Sequence, residues 1–224
     1  MGRNVHDFFY PFDNPLINMK NVDVTSYFYS NAILPKKFTI CGVELKPFSM
    51  GHLMLLEHTG NPIVDLNIQK VSLNDSIYYF FHALLICALD YEDNLKIFDD
   101  SSEYDKYAKT FITNLYKNME VDKHWNVVDK LLLFEKYISY YMDMPLYTEE
   151  GTGDTGIPSG SDWKQNLFLI FKKLGYTDKE ILNMNFKQLF YIWSSYAESE
   201  GAIKVMNKFD IQQLKAFKAN NRKK

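Results

Sequence analysis

Residues 72–88 place the tightest constraint on this chain. Leu73, Ile77, Phe80, Phe81, Leu84, Leu85 and Ala88 recur at three- and four-residue steps, which is one apolar face of a helix several turns long. Ser72 and Asp75 stand as a capping-box-like pair at its start. The apolar run from Ser76 to Leu89 holds His82 and is too short to span a bilayer, so a buried helix is expected. Such a helix needs partners on more than one side, and 224 residues with a hydrophobic fraction of 46% can supply them. One large domain, or one domain with a small appended lobe, follows.

Upstream, Lys36–Lys46 reads as a β-hairpin. Phe38 and Ile40 alternate with Thr39, Val43 and Leu45 alternate with Glu44, and Cys41-Gly42 supplies the turn, with Gly42 taking a positive φ. Pro47 ends it, Ser49 caps a helix over Met50–His58, and Gly60 stops that helix. Before the hairpin, Pro11, Pro15 and Pro35 punctuate an irregular arm with a short strand near Val24–Tyr29.

Downstream, an acidic loop precedes a helix over Ser102–Asn118, and Asp122 caps a long helix that ends before Pro145. That helix carries Val127, Leu131, Phe134, Ile138 and Tyr141 at heptad spacing. Two heptads are short for a coiled coil, so core packing is the preferred reading. Residues 148–160, with Gly151, Gly153, Gly156 and Gly160, form a candidate linker between residues 1–147 and 161–224. In the C-terminal part, Ser161 or Asp162 caps a helix with Trp163, Leu167, Ile170, Phe171 and Leu174 on one face, closed by Gly175. Thr177 and Glu180 make a capping box for a short helix. Phe186, Leu189, Phe190, Trp193 and Ala197 mark a longer helix that stops at Gly201, and Phe209–Lys218 is a candidate last helix. The fold class expected is therefore mainly α, with a small N-terminal hairpin and a C-terminal helical lobe.

Several chemistries fail on spacing. Gly151, Gly153 and Gly156 spell GxGxxG, but a helix precedes them where dinucleotide binding needs a strand. His52 and His58 lie roughly 240° apart around a helix and cannot share a metal, so capping or packing is expected of them. His82 and Cys87 also fall on different faces, and nothing marks His124 as a base. Neither Cys41 nor Cys87 has an activating neighbour in sequence. Glu149, Glu150, Asp154 and Asp162 lack the alternation of a calcium loop. No catalytic residue, cofactor or metal site is assigned, and an enzyme is not expected.

Charge is nearly balanced at -3, which gives no global pull toward nucleic acid or anionic membrane. It is unevenly spread. Asp90, Glu92, Asp93, Asp99, Asp100, Glu103 and Asp105 face only Lys96 and Lys106 over 90–106. Lys204, Lys208, Lys215, Lys218, Arg222, Lys223 and Lys224 face only Asp210 near the C-terminus. A solvated acidic loop and a solvated basic tail are expected. Residues 177–196 have helix-turn-helix length, yet Lys187 is the only basic residue of the second helix, against what a recognition helix needs. With two cysteines and no signal-peptide pattern, a reducing cytosol is expected.

Two stretches, Phe38–Pro62 with the apolar helix after it and Trp163–Gly201, resemble proteins encoded among bacteriophage tail genes, often described as tail assembly chaperones. The shared features are the hairpin, the Leu45-Lys46-Pro47-Phe48-Ser49 step into a helix, and the Glu180–Met184 turn before a helix ending in Glu200-Gly201. The resemblance implies a non-enzymatic tail assembly factor in the host cytoplasm, holding a tail or tape-measure protein. A structural part of the virion and a small DNA-binding regulator are the alternatives. The expected partners are tail or other virion proteins, with self-association open and neither nucleic acid nor membrane expected. Aromatic residues make up 16% of the chain, and an excess of this kind suits partner surfaces. Phe8, Phe9 and Tyr10 in the arm and Tyr137, Tyr140 and Tyr141 on the long helix are the candidate contacts.

Overall fold

A computed structural model describes residues 35–64, 73–121, 126–144, 147–149, 162–206 and 212. It is mainly helical, with a two-stranded hairpin on the N-terminal side, as the sequence predicts. The strands are β1 (Phe38–Ile40), β2 (Val43–Leu45), β3 (Tyr147–Glu149) and β4 (Ile203–Val205). The helices are α1 (Met50–His58), α2 (Leu73–Cys87), α3 (Tyr91–Asp99), α4 (Ser101–Val121), α5 (Val127–Met142), α6 (Trp163–Lys173), α7 (Asp178–Asn183) and α8 (Phe186–Ser199).

The hairpin pairs Phe38 with Leu45, Thr39 with Glu44 and Ile40 with Val43. Thr39 and Glu44 face out while Phe38, Ile40 and Leu45 are buried. Its turn takes positive φ at both Cys41 (52°) and Gly42 (75°), the pattern that matches the twist of a two-residue hairpin. The sequence reading gave this geometry to Gly42 alone. Cys41 is held there in part by Asn118 of α4, whose Nδ2 donates to the Cys41 carbonyl at 3.1 Å.

Helix α2 is the centre of the molecule. Phe80, Phe81, Ala83, Leu84, Leu85, Ile86 and Cys87 are all buried, so the C-terminal half of the helix is covered on nearly every side rather than along one stripe. It packs on α1, α4 and the hairpin, and Phe80 meets Phe134 of α5 edge-on at 5.9 Å. Asn94 of α3 turns inward under its C-terminus and donates from Nδ2 to the carbonyls of Ile86, Leu89 and Asp90. The Ile86 and Leu89 carbonyls lie at the end of α2, where a helix leaves carbonyl groups without intrahelical partners, and the Asp90 carbonyl also accepts Asn94 N–H at 3.0 Å.

The stripe on α5 turns toward the core through Phe134, Ile138 and Tyr141, with Val127 and Leu131 half-buried at its start. It is a packing face, as preferred. Asn126, not Asp122, caps α5, through Val128 N–H at 2.9 Å; Asp122 lies outside the described residues. The acidic stretch 90–106 also differs from expectation. The part expected as a loop is mostly helix, α3, while the helix expected over Ser102–Asn118 is found as α4. Asp90 and Asp100 stand at the helix starts, and Tyr91, Phe98, Tyr104 and Tyr107 are partly buried. Carboxylates near helix N-termini favour the helix rather than break it.

In the C-terminal part, Asp162 caps α6, Thr177 and Glu180 form the expected capping box on α7, and Asn185 caps α8. Leu174 ends α6 exposed rather than on its buried face. Of the candidate linker, Thr148 and Glu149 belong to β3, which pairs antiparallel with β4; the rest lies outside the described residues. So do the arm with its candidate strand, Ser72 of the expected helix cap, His124, the three glycines of GxGxxG and most of the basic tail. Buried residues from both sides of that linker join in one hydrophobic cluster.

Candidate functional site

Phe38–Pro62 and Trp163–Gly201 are far apart in sequence and meet in space. Phe48 and Ser49 run beside Asn185 and Phe186: Ser49 and Asn185 form a β-bridge, and Phe186 N–H donates to the Phe48 carbonyl at 3.0 Å. The rings of Phe48 and Phe186 stack at 5.6 Å. Two helix starts, those of α1 and α8, are thus tied side by side by their cap residues. α7 packs against α1 here, and Gly51 of α1 lets it approach. A Cβ at Gly51 would sit 2.8 Å from the Leu182 carbonyl and inside the Tyr91 ring.

His52 locks the same junction from below. It is buried and takes the third position of a capping box usually filled by Glu or Gln. Its Nδ1 accepts from Ser49 N–H at 3.2 Å, so Nε2 carries the proton and donates to the Leu89 carbonyl at 2.7 Å. Burial holds its pKa below the ordinary histidine value, outweighing the carbonyl of Leu89 and the charge of Asp90. A neutral, doubly bonded imidazole of this kind is a structural pin. His58 is exposed on another side of α1, as the spacing requires.

The tyrosines chosen as contacts divide. Tyr137 and Tyr141 are buried, and each donates its hydroxyl inward at 2.7 Å, to the carbonyls of Lys46 and Lys36 respectively. They clamp both ends of the hairpin against α5, with Phe38 edge-on to Tyr137 at 5.4 Å. They are structural residues rather than exposed contacts. Burial raises both phenols, and it pushes the neighbouring Cys87 thiol up to about 12, far from a reactive thiolate. Tyr140 is half-buried, its ring 4.8 Å from the ammonium of Lys187. Phe8, Phe9 and Tyr10 lie outside the described residues.

Lys187 is a feature sequence reasoning missed. Its side chain is fully buried, with Nζ 3.3 Å from Asp143 Oδ2 and 3.4 Å from the Asp143 carbonyl. Burial lowers its pKa, and Asp143 opposes that shift. The pairing joins α8 to the end of α5 across 44 positions, a separation that leaves no local signal. The only basic residue of the would-be recognition helix is therefore internal.

Among the described residues, no three His, Cys, Asp or Glu side chains gather as metal ligands, and no helix is long and apolar enough to cross a membrane. What the surface does offer is apolar. Val128 and Leu132 on α5 are 53% and 48% exposed, one helical turn apart. Ile112 and Tyr116 repeat that spacing on α4, at 36% and 51%. Compared with known proteins, the chain matches no family model, no curated protein and no solved structure.

Proposed function

We propose that this chain is a non-enzymatic assembly factor of phage tails that binds a tail or tape-measure protein through apolar surface on its helices. The observation that carries the reading is the pair of outward apolar steps, Val128–Leu132 on α5 and Ile112–Tyr116 on α4. Both helices bury another face, and these side chains keep 36% or more of their area in water, although Tyr116 also meets the Phe81 ring edge-on at 5.9 Å. Exposed apolar steps of this kind suit a protein contact.

The resemblance to tail-region proteins supports the same reading. Its residues are the hairpin, the caps and the junction of α1 with α8, which make a frame. A frame can be common to proteins whose exposed surfaces differ with the partner they hold. A chaperone of this type keeps apolar surface of its client covered until the tail polymerises, and it needs binding surface but no reactive group.

The test is co-purification of the tagged protein from infected cells, set beside mass spectrometry of purified particles. A tail protein in the eluate and the chain's absence from particles is the expected result. A fixed copy number in particles would make the protein a structural part of the virion instead.

A further inference from the structure

Helix α5 carries an exposed ridge that ends where the chain enters the described fold. Val128, Leu132, Lys136 and Tyr140 follow one another at four-residue steps, so they line one row of the helix. Val128 and Leu132 are the open apolar end of that row, and Lys136 beside them is exposed as well. Tyr140, at the other end, lies 5.5 Å from the Phe38 ring and has the Lys36 ammonium 5.8 Å from its centroid. One residue on, the Tyr141 hydroxyl donates to the Lys36 carbonyl at 2.7 Å. The backbone at Lys36 is thus pinned to the C-terminal end of the ridge.

The 34 residues before Pro35 lie outside the described residues, and their composition is uneven. Val24–Leu34 holds Tyr27, Phe28, Tyr29, Ile33 and Leu34 and no charged residue, whereas charges recur through residues 1–23. Val128 precedes Tyr140 by about 18 Å along the helix, at 1.5 Å per residue. An extended chain covers that span in about six residues, which brings the Phe28-Tyr29 pair from Lys36 to Val128. A tether this short favours the α5 ridge, because the cost of closing a loop rises with its length. The step on α4 is approached from the opposite end of the hairpin, where Asn118 meets the Cys41 carbonyl. An uncharged apolar segment covers Val128 and Leu132 without desolvating a charge of its own, and the Lys136 stem can lie under it with its ammonium in water.

We propose that residues 24–34 of this chain dock along the α5 ridge, with Phe28 and Tyr29 against Val128 and Leu132. The surface assigned above to a tail protein then has a resident occupant, and a partner that uses α5 must displace it. That consequence rests on the assembly reading; the docking itself does not.

The test is the rate at which a maleimide labels Lys136→Cys in the full chain. Cys41 and Cys87 are buried, and their continued silence shows that each variant keeps its fold. The comparison is the same chain with Tyr27→Ser, Phe28→Ser and Tyr29→Ser added. Lys173→Cys, on the exposed face of α6, is the control. Docking predicts labelling of Lys136→Cys about fivefold faster once the three rings are replaced, with no change at Lys173→Cys. Equal rates at Lys136→Cys with and without the rings overturn the proposal. A rate that falls as protein concentration rises also overturns it, since a second copy would then cover the ridge. A tail protein that still co-purifies in either event leaves the assembly reading standing. Protection by the rings without any co-purified tail protein removes the assembly reading and keeps the docking.

Discussion

The junction of α1 with α8 and the corner of α2, α3 and α4 use similar residues to opposite ends. Both are built from aromatic rings, a histidine and helix starts. At the junction the rings are buried, His52 has both nitrogens bonded, and Asn185 and Ser49 accept from helix N–H groups. At the corner Tyr78 is open to water, and His82 lies parallel to the Tyr78 ring and edge-on to Phe98. Satisfied polar groups hold the one closed. At the other, an aromatic ring is left open to water.

Substitutions should separate the two. The largest effect is expected from Gly51→Ala. The new methyl meets the Leu182 carbonyl, which is backbone and cannot swing aside, so α7 must move from α1. A loss of about 3 kcal/mol in denaturant unfolding is the expected cost. Lys187→Met comes next. It removes the cation from Asp143, which keeps 29% of its side chain in water and so is only partly stranded. A loss of about 2 kcal/mol in the same experiment is expected. If neither variant loses stability, the junction is not closed in the sense argued.

Acid probes the junction more gently. His52 has a folded pKa below the unfolded value of 6.5, so the unfolded chain takes the proton first. Its contribution is complete above about pH 6.5 and is lost as pH falls below it, by up to about 1.4 kcal/mol per unit. His82 is lowered as well and adds to the slope. His52→Gln keeps a capping-box side chain that does not titrate. Thermal unfolding of that variant between pH 6.5 and 5 should show a shallower loss than the parent. The smallest effect belongs to the corner. Tyr78→Ala should change stability by less than about 0.5 kcal/mol, since the ring is mostly in water. A larger loss would mean that the corner is part of the frame.

Local signals were legible in the sequence, and pairings across distance were not. The hairpin, the buried α2, the Thr177–Glu180 box and the inward stripe of α8 all follow from period, turn chemistry and caps within a few residues. The stretch before Ser102 read as a loop because acidic residues dominate it. Tyr91, Phe98, Tyr104 and Tyr107 find their burial only against other helices. The β3–β4 ladder, the Lys187–Asp143 pair and the inward turn of Tyr137 and Tyr141 depend on segments brought together by the fold. The exposed surface was not legible: the aromatic excess pointed to Tyr137 and Tyr141, which are buried, and neither Tyr78 nor the apolar steps on α4 and α5 could be told from core residues by spacing alone.

Native-state hydrogen exchange at the junction tests the central claim most directly, because the assembly and docking readings both assume one closed frame behind the exposed surface. Phe186 N–H crosses to Phe48, and Lys46 N–H crosses to Cys87 at 2.8 Å. Both amides should exchange only with global unfolding, at the same free energy as the core amides of α2, and Gly51→Ala should lower all of them together. Exchange of Phe186 at a much lower free energy than α2 would contradict the account, since residues 162–206 would then open from the rest as a separate lobe.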